Sequence, residues 1–232
     1  MVAALSNNVA NSSIDLVLTV APIAWNGNLS AVWDINTTAN WQNGGLSGQL
    51  YQEGDTVVFD DTAAGNYAVT VNSQVHPQSV TVSNNLNSYS FSGPGGIAWT
   101  SGLLKTGTNA LTLNEANYFA GAATVGTGAL VLGNVNAVTG PGGLNIADGA
   151  VVQPKLAGTY ASVATTLNGS STLNGSFGGS LDFHVGGTET WPGPLQLASD
   201  TATIGCYGGT CNVTLSGPLT GSGSLTFRRE GG

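Results

Sequence analysis

The sequence predicts an all-β fold, a right-handed parallel β-helix (β-solenoid) whose coils stack along one axis. Gly accounts for 35 of the 232 residues, and charged residues for only 7%, against about 25% in typical globular chains. Most of the predicted strand segments have only three to five residues and alternate apolar and polar positions, and no segment has a helical period. Strands this short favour a solenoid over a β-sandwich, the alternative fold, whose strands have about five or six residues.

The predicted strands follow one another closely from residue 55 onward. Valine recurs at every second position at Val69 and Val71, and again at Val80 and Val82. Such alternation points one set of side chains inward and the other outward, while clusters of Gly, Asn, Ser and Pro supply the turns. The segments cover residues 55–60, 67–72, 78–83, 88–92, 97–99, 110–113, 123–125, 129–132, 143–146, 150–152, 181–185, 195–197, 212–215 and 225–227.

Tryptophans mark the N-terminal part of the chain. Trp25, Trp33 and Trp41 are each eight residues from the next, and Asn-Gly pairs at 26–27, after the first, and at 43–44, after the last, supply turns. Because the core of a solenoid is open at its first coil, these large side chains predict a cap that closes it. We therefore divide the chain into a Trp-rich cap over 1–61 and solenoid repeats over 62–232, continuous with each other.

Charge and hydropathy exclude several partners. The net charge is −8, from 12 acidic and 4 basic residues. Because the sequence contains no basic stripe, we expect no binding to nucleic acid or to an anionic membrane surface. No apolar run is long enough for a transmembrane helix, so we expect no membrane insertion by this segment. An acidic chain rich in amides and hydroxyls suits the extracellular space.

The two cysteines occur in the segment Cys206-Tyr-Gly-Gly-Thr-Cys211. A hairpin turn at Gly-Gly brings the two sulfur atoms together, which predicts a Cys206–Cys211 disulfide in an oxidising compartment. A metal pair is less favoured because it needs further Cys or His residues nearby. A redox-active pair is less favoured because it usually has only two intervening residues.

Asp182 and His184 are the best candidates for acid–base chemistry. On a strand both side chains project from one face, where a carboxylate and an imidazole can bind a metal or transfer a proton. Glu189 follows after a Gly-Gly turn and completes the set of candidate catalytic residues. The alternative interpretation is that these residues form the solvated outer face of a coil.

Asp60 and Asp61 are the candidate metal ligands, because Ca²⁺ binds several oxygen atoms at short spacing. Adjacent acids point to opposite faces of a strand, so they converge only if the chain bends; a plain turn after a strand is the alternative. The sequence contains no zinc motif, phosphate loop or nucleophile elbow. We therefore expect no cofactor, with Ca²⁺ at Asp60 and Asp61 as the alternative.

The tryptophans also indicate a carbohydrate-binding surface as an alternative to the cap. Flat indole faces pack on apolar surfaces, and sugar rings present such faces. An exposed platform would use the candidate ligand-binding residues Trp25, Trp33, Trp41, Trp99 and Trp191, with Tyr51 beside them.

One long pattern of Gly, Asn and alternating Leu resembles a known bacterial repeat. It comprises Gly102-Leu-Leu-Lys-Thr-Gly107, Ala110-Leu-Thr-Leu113, Gly121-Ala-Ala-Thr-Val125 and Gly128-Ala-Leu-Val-Leu-Gly133. This pattern is similar to the autotransporter-associated β-strand repeat, also called the passenger-associated transport repeat, of secreted β-helices. Phe119 and Ala120 depart from the pattern.

The segment before this repeat, from Trp25 to Asp61, is similar to the one that often precedes such repeats in large bacterial surface proteins. The resemblance implies a parallel β-helix at the bacterial cell surface or exterior, and it carries no catalytic residues. The opening of the repeat recurs at 223–231, which predicts that the chain is a piece of a longer parent protein. We expect an open solenoid end there that can pair with another chain in an oligomer.

These observations lead to three functional interpretations. The first is a structural or adhesive β-solenoid, a passenger-type stalk of a bacterial secreted or cell-surface protein. The second is a carbohydrate-binding module that uses surface Trp and Tyr to bind extracellular polysaccharide. The third is an extracellular enzyme, a glycoside hydrolase with paired carboxylates. The first is favoured because neither the composition nor the repeat supplies catalytic machinery.

Overall fold

The chain folds into an all-β solenoid of about 7 turns, as predicted. The computed structural model describes residues 2–19, 21–171, 180–184, 186–208 and 210–230, and none of these lies in a helix. Successive coils stack in parallel, which rules out the alternative β-sandwich, because sandwich sheets are antiparallel. Val185, at the end of one predicted strand, lies outside the described residues, as do Met1, Gly231 and Gly232 at the ends of the predicted segments.

The described residues form 27 strands, most of them as short as the sequence predicts. In chain order they are β1 (Val2–Asn8), β2 (Ser13–Thr19), β3 (Ile23–Trp25), β4 (Val32–Trp33), β5 (Trp41–Asn43), β6 (Leu46–Gln49), β7 (Thr56–Asp60), β8 (Ala68–Val71), β9 (Ser79–Ser83), β10 (Tyr89–Ser92), β11 (Ala98–Thr100), β12 (Leu103–Thr106), β13 (Ala110–Leu113), β14 (Tyr118–Phe119), β15 (Ala123–Val125), β16 (Ala129–Leu132), β17 (Leu144–Ile146), β18 (Val151–Pro154), β19 (Gly158–Thr159), β20 (Thr165–Leu167), β21 (Leu181–Phe183), β22 (Gly187–Trp191), β23 (Leu195–Leu197), β24 (Ala202–Tyr207), β25 (Cys211–Leu215), β26 (Leu219–Gly221) and β27 (Leu225–Glu230).

Two long sheets run the length of the solenoid. Sheet A has nine parallel strands in the order β4-β8-β10-β13-β16-β18-β21-β24-β27. Sheet B has eleven strands in the order β6-β5-β3-β7-β9-β12-β15-β17-β20-β23-β26, and its pairings β6-β5 and β5-β3 are antiparallel. A third, interrupted face consists of β11-β14 and β19-β22-β25.

One hydrophobic core runs through the stacked coils. Its inward side chains form columns, and one column of sheet B contains Val57, Val80, Leu103, Ala123 and Leu144, each in register with the next. All five are at most 2% exposed. Branched aliphatic side chains suit these positions because they pack well on a pleated surface. The alternation in the sequence therefore identifies which side chains enter the core.

Aromatic rings fill the first coils, where the sequence predicts a cap. All three tryptophans of this segment are 0% exposed. The ring of Trp33 lies 5.3 to 6.1 Å, between centroids, from four other aromatic rings, those of Trp41, Tyr51, Phe59 and Phe91. The antiparallel hairpin of β5 and β6 pairs with β3 and forms the first end of sheet B. Buried rings at this density make the first coils the most aromatic part of the core.

An antiparallel hairpin precedes the solenoid. Strands β1 and β2 pair along seven residues, from Val2 with Thr19 to Asn8 with Ser13. This hairpin was not predicted, because residues 2–8 read Val-Ala-Ala-Leu-Ser-Asn-Asn and lack strict alternation.

A buried lysine connects two coils at a corner. Lys105 is 0% exposed, and its Nζ donates hydrogen bonds to the carbonyl oxygens of Thr106 (2.7 Å), Gly107 (3.0 Å) and Thr127 (3.3 Å). The first two belong to its own coil and the third to the next coil. Burial lowers the pKa of Lys105 to about 8. The ammonium group therefore joins the two coils through carbonyl groups and has no carboxylate partner among these bonds.

Replacement of Lys105 by methionine is expected to lower the free energy of unfolding by about 2 kcal/mol, because three carbonyl oxygens lose a donor while the apolar stem remains. Urea unfolding followed by circular dichroism measures the change. The matched control is Lys155→Met at a partly exposed lysine, where we expect a change below about 1 kcal/mol. Equal stability of Lys105→Met and the wild type would show that the hydrogen bonds of Lys105 do not stabilise the contact between the two coils.

Glycine is required where coils approach closely, as Gly107 shows. Its φ is +82°, and a Cβ atom at this position would collide with the backbone of Asn84 in the preceding coil. Such corners explain why the chain uses Gly so heavily.

Candidate functional site

Four of the five tryptophans lie in the core. Trp25, Trp33 and Trp41 are 0% exposed and Trp191 is 1% exposed, whereas Trp99 is 66% exposed. A buried indole offers no face to a ligand, so these four do not form a surface platform. Trp99 is the candidate ligand-binding tryptophan that stands at the surface.

Trp99 reaches the surface through an irregularity in strand β11. Its neighbours Ala98 and Thr100 pair with Tyr118 and Phe119, which are adjacent in β14, so Trp99 is an extra residue in the ladder. Its φ is +57°, a left-handed conformation that a bulky residue rarely adopts and that costs about 1 to 2 kcal/mol. An extra residue of this kind is a β-bulge, which redirects the side chain.

The bulge reverses the direction of the indole. Ile97 is 1% exposed, and in a regular strand the residue two positions later points to the same side. Trp99 would then enter the core. Its exposure forgoes about 2 to 3 kcal/mol of apolar burial, in addition to the backbone strain. The fold therefore keeps this side chain outside at the expense of stability.

The indole of Trp99 packs against a tyrosine of the next coil. The ring centroids of Trp99 and Tyr118 are 4.6 Å apart, and their planes are inclined by 45°. Tyr118 is in register with Thr139 of the following coil. Two aromatic rings and a hydroxyl side chain thus follow one another on the third face.

The preceding coil adds a histidine to this face. Val75 is in register with Ile97, and Ala98 with Tyr118. His76 therefore lies one strand from Ala98 and two strands from Tyr118, about 10 Å away between Cα atoms at the usual strand spacing.

His76 forms a polar group with Glu53 and Tyr51. The Nδ1 atom of His76 lies 3.1 Å from Glu53 Oε1, and its backbone N–H donates to Glu53 Oε2 at 2.6 Å. The hydroxyl of the buried Tyr51 donates to the same Oε2 atom at 2.7 Å. Desolvation opposes the carboxylate charge, but these bonds outweigh it and lower the pKa of Glu53. The carboxylate is thus held ionised, and it orients an imidazole that is 42% exposed.

The predicted pair of Asp182 and His184 forms on the outer face of sheet A. Asp182 Oδ2 lies 3.2 Å from His184 Nδ1, and Gln153 Nε2 donates to the same oxygen at 3.3 Å. The ring of Tyr207 stacks on the imidazole, with centroids 4.4 Å apart and planes inclined by 16°. The Asp182 side chain is 4% exposed and that of His184 25%. An oriented carboxylate–imidazole pair of this kind can hold or pass a proton.

A lysine lies within electrostatic range of this pair. Burial lowers the pKa of Lys155, while the Asp182 carboxylate opposes the shift. The Oδ1 atom of Asp182 is buried and has no hydrogen-bond partner among the described protein atoms.

Glu189 does not join Asp182 and His184. It is 0% exposed, and it points inward from β22 on the same side as the core residue Trp191. Asp182 lies between the core residues Leu181 and Phe183 and points outward. The two carboxylates therefore lie on opposite sides of the coil wall, and they do not form the facing pair that glycoside hydrolysis uses.

Two buried carboxyl groups point into the core without partners. Burial raises the pKa of Glu189, and it raises the pKa of Glu115 to about 7. Both oxygens of each group lack a hydrogen-bond partner among the described protein atoms. Glu115 was missed in the sequence, although alternation indicates it: inward positions at Leu111 and Leu113 continue at Glu115, which is 3% exposed.

Asp60 and Asp61 each hold a turn. Asp60 Oδ1 accepts hydrogen bonds from the backbone N–H of Thr62 at 2.9 Å and from its hydroxyl at 2.6 Å. Asp61 accepts from the backbone N–H groups of Leu86 and Asn85 in the next coil, and these bonds lower its pKa. Within the described ranges, no group of three or more His, Cys, Asp and Glu side chains is placed to hold a metal ion.

Cys206 and Cys211 form the predicted disulfide, with Cα atoms 6.2 Å apart. It joins β24 of sheet A to the start of β25 on the third face, so these strands do not form the predicted hairpin, and Gly209 of the predicted turn lies outside the described residues. A disulfide is compatible with an extracellular protein. The part of the chain that the structure describes has no helix long and apolar enough to cross a membrane.

Comparison of the chain with protein-family models, curated proteins and solved structures finds no match. The similarity to the autotransporter-associated repeat therefore stays a prediction.

Proposed function

We propose that this chain is a structural β-solenoid module, a stiff stalk of a bacterial secreted or cell-surface protein. The observation that supports this most directly is the stacking of about 7 coils around one core, in register through two long sheets. Bending such a stack would break ladder hydrogen bonds and core contacts together. At about 4.8 Å per coil, the stack extends roughly 30 to 35 Å.

The outer surface suits a stalk. The outward column of sheet B contains small or neutral side chains, in the order Thr81, Leu104, Thr124, Asn145 and Thr166. Like charges directly opposite each other on neighbouring strands are destabilising. A composition with only 7% charged residues avoids this repulsion when coils of similar sequence stack. The bacterial exterior is inferred from the repeat resemblance, and the disulfide accords with it.

A distance measurement between spin labels tests the stiffness of the module. Labels on cysteines introduced at Thr81 and Thr220, six strands apart in one column of sheet B, are expected at about 29 Å between backbones, with a narrow distribution. A label pair at Thr81 and Thr166, four strands apart, is the matched control and should give about 19 Å. A broad distribution for the long pair with a narrow one for the short pair would contradict a continuous stiff module.

The same protein tests the enzymatic alternative. We expect no release of reducing ends from soluble polysaccharides. Activity that is abolished by Asp182→Asn and retained by the exposed control Asp200→Asn would identify the protein as an enzyme that uses the Asp182–His184 pair, in place of a stalk.

A further inference from the structure

The side chain of Trp99 is exposed by a backbone conformation that is unfavourable for a bulky residue. It is turned out of the core by a bulge with a φ of +57°, whereas the other four tryptophans are at most 1% exposed. The other described non-glycine residues with positive φ are Ser12, Asn36 and Asn66, whose small polar side chains tolerate turns. Exposure of an indole by a strained backbone adds nothing to stability. Bulges and strain of this kind concentrate at functional sites.

We propose that Trp99, Tyr118 and His76 form a binding site for a neutral pyranose unit of an extracellular polysaccharide. The indole offers its flat apolar face to the C–H groups of the sugar ring, and the Tyr118 ring, 4.6 Å away and inclined by 45°, packs directly against the indole and fixes its orientation. His76 turns its Nδ1 towards Glu53, which leaves Nε2 to bond a sugar hydroxyl. This site does not depend on the stalk role.

The distribution of charge favours a neutral sugar over an acidic one. The chain carries a net charge of −8, and the Glu53 carboxylate is held ionised beside His76. The basic residues are placed elsewhere: Lys105 lies in the core, Lys155 follows β18, and Arg228 and Arg229 belong to β27. A uronate or sulfated sugar would thus meet a carboxylate without a cation to balance it.

The size and surroundings of the aromatic pair favour a sugar over a protein. A stable protein interface buries about 800 Å² on each partner, far more than two neighbouring rings provide. The hydroxyl groups of Ser101, two residues after Trp99, and of Thr139, in register with Tyr118, donate to the backbone carbonyls of Gln78 and Asn117, which leaves their lone pairs to accept hydrogen bonds from a sugar. An apolar face with a rim of hydroxyl and imidazole groups matches a pyranose, which has an apolar face and polar edges.

The experiment titrates the wild-type protein with cellohexaose and xylohexaose as neutral probes, and with hexagalacturonate as the acidic comparison. Because Trp99 is the exposed tryptophan, its quenching by acrylamide reports on occupancy. We expect a neutral oligosaccharide to shift the emission to shorter wavelength and to protect the indole from acrylamide, with at least about 10-fold weaker binding of the acidic probe. Protection by neither neutral probe, or equal binding of hexagalacturonate, would overturn the proposal.

Variants assign the binding to these residues by calorimetry, which does not need the indole. Trp99→Gly is the main variant, because glycine adopts a φ of +57° without strain and the fold is retained. We expect it to weaken binding by at least about 10-fold, with a smaller loss for Tyr118→Ala. Leu104→Ala, at an exposed side chain of sheet B, is the control and should bind as the wild type does. Unchanged binding by Trp99→Gly, or equal protection of Trp99 by neutral lipid vesicles, would also refute the site.

Discussion

Replacement of Trp33 by alanine is expected to lower the free energy of unfolding by about 3 to 5 kcal/mol. The indole is 0% exposed, and four aromatic rings surround it at centroid distances of 5.3 to 6.1 Å. Its removal leaves a cavity that the stacked coils are too tightly connected to close. The midpoint of urea unfolding, followed by circular dichroism and by tryptophan emission, measures the loss.

The exposed tryptophan supplies the matched control. Trp99→Gly removes an indole of the same size, but that indole is 66% exposed and its backbone is strained. We expect the free energy of unfolding to change by less than about 1 kcal/mol, since little burial is lost and the strain is relieved. Similar losses in both variants would mean that burial does not distinguish the two residues.

Stability is expected to fall as pH rises from about 4.5 to 8, with buried Glu115 as the main cause. Burial raises the pKa of its carboxyl from 4.5 to about 7, so folding favours the protonated form. Its contribution is fully present below pH 4.5 and is lost as pH rises through 7. A shift of this size corresponds to about 3 kcal/mol. Glu189, whose pKa is also raised by burial, acts in the same direction.

Glu115→Gln tests this assignment. The variant is expected to be more stable than the wild type at pH 8 and to lose most of the dependence between pH 4.5 and 8, as urea unfolding at a series of pH values would reveal. The control is Glu53→Gln, because hydrogen bonds lower the pKa of Glu53 and its contribution is lost only as pH falls. Burial lowers the pKa of Lys105 to about 8, so this residue changes the free energy of unfolding mainly above pH 8. An unchanged profile in Glu115→Gln would show that its carboxyl is not buried as described.

Alternation predicted the strands and their inward faces well, because it is a local property. Val80 and Val82 lie two positions apart, point into the core and pair with Leu103 and Lys105 of the next coil. The same rule extended from Leu113 would have found Glu115. Residue type alone does not indicate Glu115, because acidic residues are rarely fully buried without a partner.

The candidate site was only partly predictable. Alternation brought Asp182 and His184 to one face, and the structure joins them at 3.2 Å. Glu189 was grouped with them on sequence proximity, but it faces the core from a strand of the third face. The relative direction of two strands depends on the corner between them, and sequence spacing does not encode that angle.

The sequence by itself determined that the chain is all-β, which positions alternate, and that the cysteines of a Gly-Gly turn pair, because these depend on neighbouring residues. Only the tertiary structure decided which tryptophans are buried. Trp25, Trp33, Trp41 and Trp191 enter the core, and Trp99 leaves it. The outward direction of the Trp99 side chain depends on a bulge formed against Tyr118 of another coil. Such a contact exists only once the coils have stacked, so local sequence carries no signal for it.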